Sequence, residues 1–261
     1  MSTRFSVLAS GSTGNAVVVG NERTKILIDA GLSAKKLELL LQERGVQGQE
    51  LEAIFVTHEH SDHIKGLGVL AKRYGMPVYA NAKTWEELDK KFADIPASQR
   101  KIIETGAKLD VGEFVIESFG ISHDAVEPVG YCLYDQGLKL SVATDLGYVS
   151  PKVKEKLKDS DVLVIEANHD VEMLRVGHYP WNIKRRILGD TGHLSNDAAG
   201  EALTELLTGI TRRVYLAHLS QDHNLLDLAK LSVNTILQEH GILSRQPRLQ
   251  IMDTYPDRPT K

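Results

Sequence analysis

The stretch T-H-E-H-S-D-H, residues 57–63, directly follows the apolar run L-E-A-I-F-V at residues 51–56. Alternate side chains of an extended chain share one face, so His58 and His60 should point the same way at the end of this strand. The next residues, I-K-G-L-G-V-L-A-K, indicate a helix that begins near Asp62, and Asp62 and His63 would project together from its first turn. The stretch therefore predicts two pairs of metal-capable side chains at one strand-to-helix corner.

Length and composition indicate a single domain over residues 1–261, because 42% apolar content can fill a core and no linker-like segment divides the chain. The apolar runs are far shorter than the roughly 20 residues that span a bilayer. The N-terminus M-S-T-R-F-S-V lacks the apolar segment of a secretory signal, which predicts a cytoplasmic protein with no membrane partner. The single cysteine, Cys132, excludes an internal disulfide and a cluster of thiolate ligands. A net charge of -4 means that the surface as a whole does not attract nucleic acid.

Hydrophobic periodicity predicts the same succession twice, a series of strands and then alternating strands and helices. The first succession has strands in R-F-S-V-L-A, A-V-V-V-G and K-I-L-I-D, a helix over 34–44 capped by Ser33, a strand over 53–57 and a helix in T-W-E-E-L-D-K-K-F. The second has strands over 107–121, 130–135 and 138–144, strands in D-V-L-V-I-E-A and R-V-Y-L-A, and helices near 180–188, 196–208 and 224–239. Two packed sheets with helices outside would accommodate this order, which predicts an α/β (α+β) fold in four layers, αββα.

Histidine and carboxylate side chains together suit zinc, manganese or iron. Two such ions about 3.5 to 4 Å apart form a centre that activates water for hydrolysis. A solvated polar turn is the alternative interpretation of residues 57–63. Three histidines and two carboxylates within seven positions favour metal binding.

The H-x-H-x-D-H pattern resembles the signature of the metallo-β-lactamase-fold hydrolases, and the resemblance covers nearly the whole chain. Further features of this family occur in order, namely an acid in L-I-D-A-G, a histidine in G-I-S-H-D, an acid in S-V-A-T-D and a histidine in V-Y-L-A-H-L-S. The resemblance implies the metallo-β-lactamase-like sandwich of that family. It also implies two divalent metal ions, zinc or manganese.

By this resemblance, seven side chains would hold the metals, three on each ion and one bridging both. One ion would take His58, His60 and His123, the other Asp62, His63 and His218, and the bridge would be Asp145. Asp29, in L-I-D-A-G, would accept hydrogen bonds that orient the motif.

Two of these histidines have neighbours that compete for the same role. Asp124 directly follows His123, and His223 follows His218 by five residues in H-L-S-Q-D-H-N. His218 is preferred because it terminates a predicted strand, whereas His223 lies where a loop leads into the last predicted helix.

Three longer segments are similar to the YycJ/WalJ-type branch, described as DNA exonucleases of Gram-positive bacteria. They are L-A-S-G-S-T-G-N, E-A-N-H-D-V-E-M-L and G-D-T-G-H-L-S-N-D-A-A. This resemblance implies a dinuclear-metal phosphodiesterase, a 5′-to-3′ exonuclease that uses a metal-activated hydroxide on a nucleic acid, DNA in the first place. Other hydrolases of the fold remain alternatives: an RNA-processing nuclease, a small cyclic phosphodiesterase, or a lactam or thioester hydrolase.

Two residues are predicted to move protons. Asp62 could take the proton of the attacking water. His193, in G-H-L-S, matches a histidine that is thought to donate a proton in related nucleases. The alternative for His193 is a helix-start residue beside the predicted cap Ser195.

Substrate contacts are predicted at two places, each with a structural alternative. Ser12 and Thr13, in S-G-S-T-G-N, could offer hydroxyl and backbone N–H groups to a phosphate, or the loop could be a plain turn between strands. His169 and His178 flank a polar stretch before P-W-N-I-K-R-R, whose Trp181, Lys184, Arg185 and Arg186 could face nucleic acid or form a solvated or packed helix.

Overall fold

The computed structural model describes residues 3–261 and contains two sheets. The first sheet has six strands in the order β1-β2-β3-β4-β5-β6. Their bounds are β1 Arg4–Ala9, β2 Ala16–Gly20, β3 Lys25–Ile28, β4 Ala53–Phe55, β5 Val78–Ala80 and β6 Arg100–Ile102. β1, β2 and β3 pair antiparallel, and β3 to β6 pair parallel. Parallel pairing brings the carboxyl ends of β3 and β4 to one edge, with Ile28 beside Phe55.

The second sheet has seven strands in the order β13-β12-β11-β10-β9-β8-β7. Their bounds are β7 Lys108–Val111, β8 Phe114–Gly120, β9 Val129–Asp135, β10 Leu138–Ala143, β11 Val162–Glu166, β12 Arg213–Ala217 and β13 Gln250–Asp253. β10 to β13 pair parallel, so the carboxyl ends of β10, β11 and β12 also share one edge.

Helices connect the parallel strands. They are α1 Ala34–Glu43, α2 Ser61–Ile64, α3 Leu67–Tyr74, α4 Ala82–Lys91, α5 Pro151–Leu157, α6 Val171–Val176, α7 Trp181–Ile187, α8 Asn196–Leu206, α9 Leu226–Glu239 and α10 Ile242–Arg245. The sequence patterns did not predict α5, α6 or α10. Each has only four to seven residues, too few for a helical period to stand out. Among residues 3–261, none of the helices combines the length and apolar character needed to cross a bilayer.

The chain divides into two compact units. The first comprises the residues up to Ser118 together with Ala125–Val129 and Thr254–Lys261, and the second comprises Phe119–Asp124 and Gly130–Asp253. The single domain over 1–261 therefore remains a prediction. In each unit, helices bury apolar side chains against one face of the strands; for example, Leu37, Leu40 and Leu41 of α1 are fully buried with Leu27 and Ile54.

The predicted helix after the H-x-H-x-D-H motif is split in two. α2 ends at Ile64 and α3 begins at Leu67. The backbone N–H of Gly66 donates to Ala30 O at 2.8 Å, and Asp62 O accepts instead from Asn15 N at 2.8 Å. Two tertiary hydrogen bonds thus replace the one helical bond that would have continued the helix.

The side chain of Cys132 is fully buried in β9, 3.2 Å from the hydroxyl of Ser141. It packs as a small apolar residue.

Candidate metal centre

The candidate ligands of the first unit follow the carboxyl ends of β3 and β4. Asp29 comes directly after β3, and residues 57–63 follow β4. Asp29 has a φ of 60°, in the left-handed region that most side chains avoid. The backbone N–H of Asp29 donates to Phe55 O at 2.8 Å, which keeps the residue beside the motif despite this conformation.

Asp29 organises the motif through three hydrogen bonds. One carboxylate oxygen accepts from the backbone N–H of Thr57 at 2.8 Å, and the other accepts from the Thr57 hydroxyl at 2.8 Å and from His63 Nδ1 at 2.7 Å. Because the Thr57 proton goes to Asp29, its oxygen can accept from His58 Nδ1, 3.0 Å away. His58 and His63 then both carry their lone pair on Nε2, the nitrogen that a metal would use.

The imidazoles of the motif are grouped closely. The ring of His58 lies 4.6 Å from that of His60 and 4.1 Å from that of His63, measured between centroids. His58 and His63 are fully buried, whereas His60 and Asp62 are partly exposed. His63 Nε2 lies 3.6 Å from a carboxylate oxygen of Asp62. The first unit thus supplies three imidazoles and one carboxylate from a single corner, as residues 57–63 predicted.

The candidate residues of the second unit also follow strand ends. Asp145 lies two residues after β10, and His218 directly follows β12. Both adopt the left-handed region, with φ values of 61° and 55°. Strained backbone of this kind persists where the surrounding structure fixes it, and it concentrates at functional sites.

Asp145 lies between two histidines. One of its carboxylate oxygens is 3.7 Å from His123 Nε2 and 3.5 Å from His218 Nε2. His123 Nδ1 lies 3.2 Å from the carbonyl of Gly192, so Nδ1 donates there and leaves the lone pair on Nε2. All three side chains are buried, and burial lowers the pKa of His123 despite the nearby charge of Asp145.

Glu166, the last residue of β11, accepts hydrogen bonds from four groups around the candidate site of this unit. The sequence patterns gave it no role. It is fully buried, and one carboxylate oxygen accepts from His193 Nδ1 at 2.8 Å and from His218 Nδ1 at 3.0 Å. The other oxygen accepts from the backbone N–H groups of Leu146 at 2.7 Å and Leu194 at 3.0 Å. Burial raises the pKa of Glu166, but the two histidines outweigh it and lower the pKa below its ordinary value. Glu166 is therefore a carboxylate at neutral pH.

His193 lies beside the ring of His218, with 5.1 Å between centroids. Burial is the largest single effect on the pKa of His193, and it lowers that pKa. The charge of Glu166 and its hydrogen bond together outweigh burial, so the pKa of His193 is raised overall. A raised pKa favours the imidazolium form, which can give up a proton. Asp145, Glu166, His193 and His218 each place a possible ligand atom within 4.8 Å of the others.

These donor sets fit metal ions. A metal-binding histidine usually donates its other ring N–H to a carboxylate or a backbone carbonyl. His63 does so with Asp29, His218 with Glu166, and His123 with a carbonyl. Nitrogen and oxygen donors of this kind suit zinc or manganese.

Comparison with known proteins agrees with this geometry. Residues 24–219 match the family model of the beta-lactamase superfamily domain. The chain belongs to that superfamily. It is 49% identical over its whole length to exodeoxyribonuclease YycJ of Bacillus anthracis, covering 98% of that protein. It is 44% identical to exodeoxyribonuclease WalJ of Streptococcus pneumoniae, covering 98% of this chain and 96% of that protein.

Similar solved structures confirm the predicted fold class. The metallo-beta-lactamase fold protein YhfI of Bacillus subtilis matches with a TM-score of 0.74 at 19% identity, covering 99% of this chain and 98% of that one. Zn(2+)-bound PqqB of Methylobacterium extorquens matches with a TM-score of 0.72 at 15% identity, covering 99% of this chain and 100% of that one. At these identities the matches establish the fold alone.

Three further residues contact the candidate ligands, and the sequence patterns gave none of them a role of its own. The Thr57 hydroxyl donates to Asp29. The side chain of Asn168 donates to the carbonyl of His218 at 2.7 Å. Asn15 donates to Asp62 and lies 3.2 Å from His63 Nε2. The quoted segments S-G-S-T-G-N and E-A-N-H-D contained Asn15, Glu166 and Asn168, but nothing local to those segments distinguishes a positioning residue from a turn residue.

The predicted substrate residues have different surroundings. Ser12, Thr13 and His178 are exposed, whereas His169 is fully buried. Burial lowers the pKa of His169 to about 4, so its ring is neutral near pH 7. Substrate binding by these four residues remains a prediction.

The segment P-W-N-I-K-R-R differs from a uniformly exposed basic face. Trp181 is 61% exposed, which excludes a core role. Lys184 is buried and donates to the carbonyls of Arg175 at 2.7 Å and Gly177 at 2.6 Å, so it caps the end of α6 and is not presented to nucleic acid.

The two residues that competed for ligand roles have other contacts. Asp124, the competitor of His123, is ion-paired with Arg186. His223, the competitor of His218, packs its ring 4.3 Å from that of Tyr179.

Proposed function

We propose that this protein is a dinuclear-metal phosphodiesterase that digests DNA from the 5′ end. The observation that carries the proposal is His193, held by the same Glu166 oxygen that holds His218. Cleavage of a phosphodiester expels a sugar alkoxide, a poor leaving group that needs a proton from a positioned acid. Neither lactam nor thioester hydrolysis expels a sugar alkoxide, so neither needs an acid placed for one. The YycJ and WalJ relatives, named exodeoxyribonucleases, support DNA as the substrate.

Family membership and the donor chemistry of each set support the following assignment of metal ligands. One divalent ion would be bound by His58, His60 and His123, a second by Asp62, His63 and His218, and Asp145 would bridge them. When bound, the two ions supply a water that ionises near neutral pH and stabilise charge on the phosphoryl oxygens. Two divalent ions would outweigh the charges of Asp62 and Asp145, so the loaded centre would attract phosphate although the chain carries a net charge of -4.

The side chains of the protein then have separate tasks in the reaction. Asp62, the partly exposed carboxylate of the motif, takes the proton of the attacking water. His193 donates a proton from Nε2 to the departing 3′-oxygen, because its Nδ1 is engaged by Glu166. Glu166 keeps His193 and His218 in fixed orientations, and Asp29 does the same for His63.

The direction of digestion is tested with end-labelled strands. We expect a 5′-labelled DNA strand to release its label first, as a mononucleotide, in the presence of manganese or zinc and not with EDTA. A 3′-labelled strand that loses its label first would reverse the polarity. Cuts in circular DNA would indicate an endonuclease, and faster cleavage of a matched RNA would indicate an RNA-processing enzyme.

Metal content gives a second prediction. Apo-protein should bind about two divalent ions per chain, and DNA cleavage should rise steeply only as the second site fills, because the mechanism needs both ions. Titration followed by isothermal calorimetry and by nuclease assay on the same preparation measures the two quantities together. Full activity at one equivalent of metal would contradict the dinuclear centre.

A further inference from the structure

The loop between β1 and β2, residues 10–15, folds around one buried side-chain amide. Asn15 Oδ1 accepts from the backbone N–H of Gly11 at 2.9 Å, and its Nδ2 donates to Gly11 O at 3.1 Å. The backbone N–H of Gly14 donates to Gly11 O at 3.0 Å and closes a turn with Ser12 and Thr13 at its centre. The N–H of Ser10 donates to Tyr255 O at 2.9 Å. The loop is therefore fixed at both ends.

The same asparagine fastens this loop to the metal-binding motif of its own unit. The backbone N–H of Asn15 donates to Asp62 O at 2.8 Å, and Nδ2 lies 3.4 Å from the Asp62 carboxylate and 3.2 Å from His63 Nε2. His63 Nε2 is the nitrogen that Asp29 leaves to a metal. The loop consequently borders the place where one candidate ion would be bound.

The tip of the loop carries hydrogen-bond donors that have no acceptor among residues 3–261. Ser12 and Thr13 are exposed, and over residues 3–261 neither their backbone N–H groups nor their hydroxyls form a hydrogen bond with another residue. Ser10 and Asn15, on either side, are buried. The fixed turn beside the motif thus carries two backbone N–H groups and two hydroxyls that are available as donors. Neither Ser12 nor Thr13 is charged.

We propose that Ser12 and Thr13 bind a non-scissile phosphate of the DNA strand, next to the phosphate that is cleaved. This rests on the proposed function, since a strand must lie in the site for a second phosphate to reach the loop. Backbone N–H and Ser or Thr hydroxyl groups are common phosphate contacts, and they position a strand without reading its sequence. Thr13 is two residues from Asn15, so their Cα atoms lie within about 7 Å of each other. The tip is therefore close to Asn15, whose Nδ2 lies 3.2 Å from the candidate ligand atom His63 Nε2.

The double variant Ser12→Ala/Thr13→Val tests this assignment. Removing two hydroxyl donors to a charged oxygen should raise the KM for DNA by roughly tenfold to a hundredfold and change kcat much less. Ser244→Ala, an exposed serine on α10, is the matched control and should leave both constants unchanged. Bis(p-nitrophenyl) phosphate has no neighbouring phosphate, so its hydrolysis should be the same in the double variant and the wild type.

Modified substrates identify the phosphate. An uncharged methylphosphonate at the first linkage beyond the scissile one should weaken wild-type cleavage, and it should weaken the double variant much less because the contact is already lost. The loop could instead bind the terminal phosphomonoester. In that case replacing the 5′-phosphate by a 5′-hydroxyl will weaken cleavage by the wild type more than by the double variant, and the methylphosphonate will not. Fluorescence anisotropy of a labelled oligonucleotide with non-hydrolysable linkages, on metal-loaded protein, gives the same comparison as a Kd without turnover.

The outcomes separate the two proposals. Wild-type cleavage of DNA together with an unchanged KM and Kd in Ser12→Ala/Thr13→Val would overturn the phosphate contact alone. Loss of bis(p-nitrophenyl) phosphate hydrolysis in that variant would also overturn it, because the loop would then only support Asp62. Wild-type protein that hydrolyses bis(p-nitrophenyl) phosphate but no DNA would overturn the proposed function, and the phosphate contact with it.

Discussion

His193→Ala is expected to reduce DNA cleavage by about 10²- to 10⁴-fold, the range typical for loss of a positioned general acid. The reason is the leaving group, since a 3′-alkoxide departs slowly unless it is protonated as the bond breaks. His193 is well placed for this, because Glu166 fixes its Nδ1 at 2.8 Å and raises its pKa despite burial. Metal content should be unchanged, because His193 is assigned to neither ion.

A second substrate makes this prediction specific. Bis(p-nitrophenyl) phosphate releases a stabilised phenolate that hardly needs a proton, so its hydrolysis should fall far less in His193→Ala than DNA cleavage does. Both rates and the bound metal can be measured on one preparation. Equal losses on the two substrates would show that His193 is not the acid, and loss of metal would make it a ligand or a structural support.

Gly31→Ala should abolish most activity without removing any ligand. A Cβ at position 31 would lie 1.8 Å from Asp62 O and 2.5 Å from Asn15 N, so one of these backbone segments must move. Either movement disturbs Asp62 and the adjacent His63, because Asn15 N also donates to Asp62 O at 2.8 Å. A misplacement of about 1 Å near reacting groups costs roughly 10²-fold in rate, which we expect for both DNA and bis(p-nitrophenyl) phosphate.

Gly75→Ala is the matched control for the glycine substitution. Gly75 ends α3 with a φ of 68° and has no atom within 4 Å of an added Cβ, so alanine there meets strain but no collision. It should lower the free energy of unfolding by about 1 to 2 kcal/mol and leave the turnover of folded enzyme unchanged. Gly31→Ala with full kcat and two bound metals would show that the contact between residues 31 and 62 is not needed for the site.

Much of the fold could be predicted because strands, turns and capped helices have local signals. Ser33 caps α1 as predicted, with its side chain accepting from Lys36 N, and the helix spans Ala34–Glu43 against a predicted 34–44. The hairpin of β7 and β8 turns at V-G-E inside the predicted strand series 107–121, and β9 and β10 turn at D-Q-G between the predicted strands 130–135 and 138–144. The strand ends that carry Asp29, Asp145 and His218 were also correct, because a polar residue after an apolar run marks such an end.

The site itself was only partly predictable. Residues 57–63 gave the ligand types and their grouping, since a strand period followed by a helical turn fixes which neighbours face together. The role of Glu166 could not be inferred, because it depends on hydrogen bonds to His193 and His218, 27 and 52 residues away. The burial of Lys184 and the exposure of Trp181 were likewise set by packing against distant segments.

The sequence by itself determined the superfamily, the order of strands and helices, and the candidate metal-binding side chains, all of which rest on short-range patterns. Tertiary structure decided how those side chains are aimed. Three features arise where separate segments exchange hydrogen bonds. They are the left-handed backbone at Asp29, Asp145 and His218, the break after α2, and the hydrogen bond from Asn15 to Asp62. Such bonds offset local conformational strain, and their partners lie too far apart along the chain for any local pattern to reveal them.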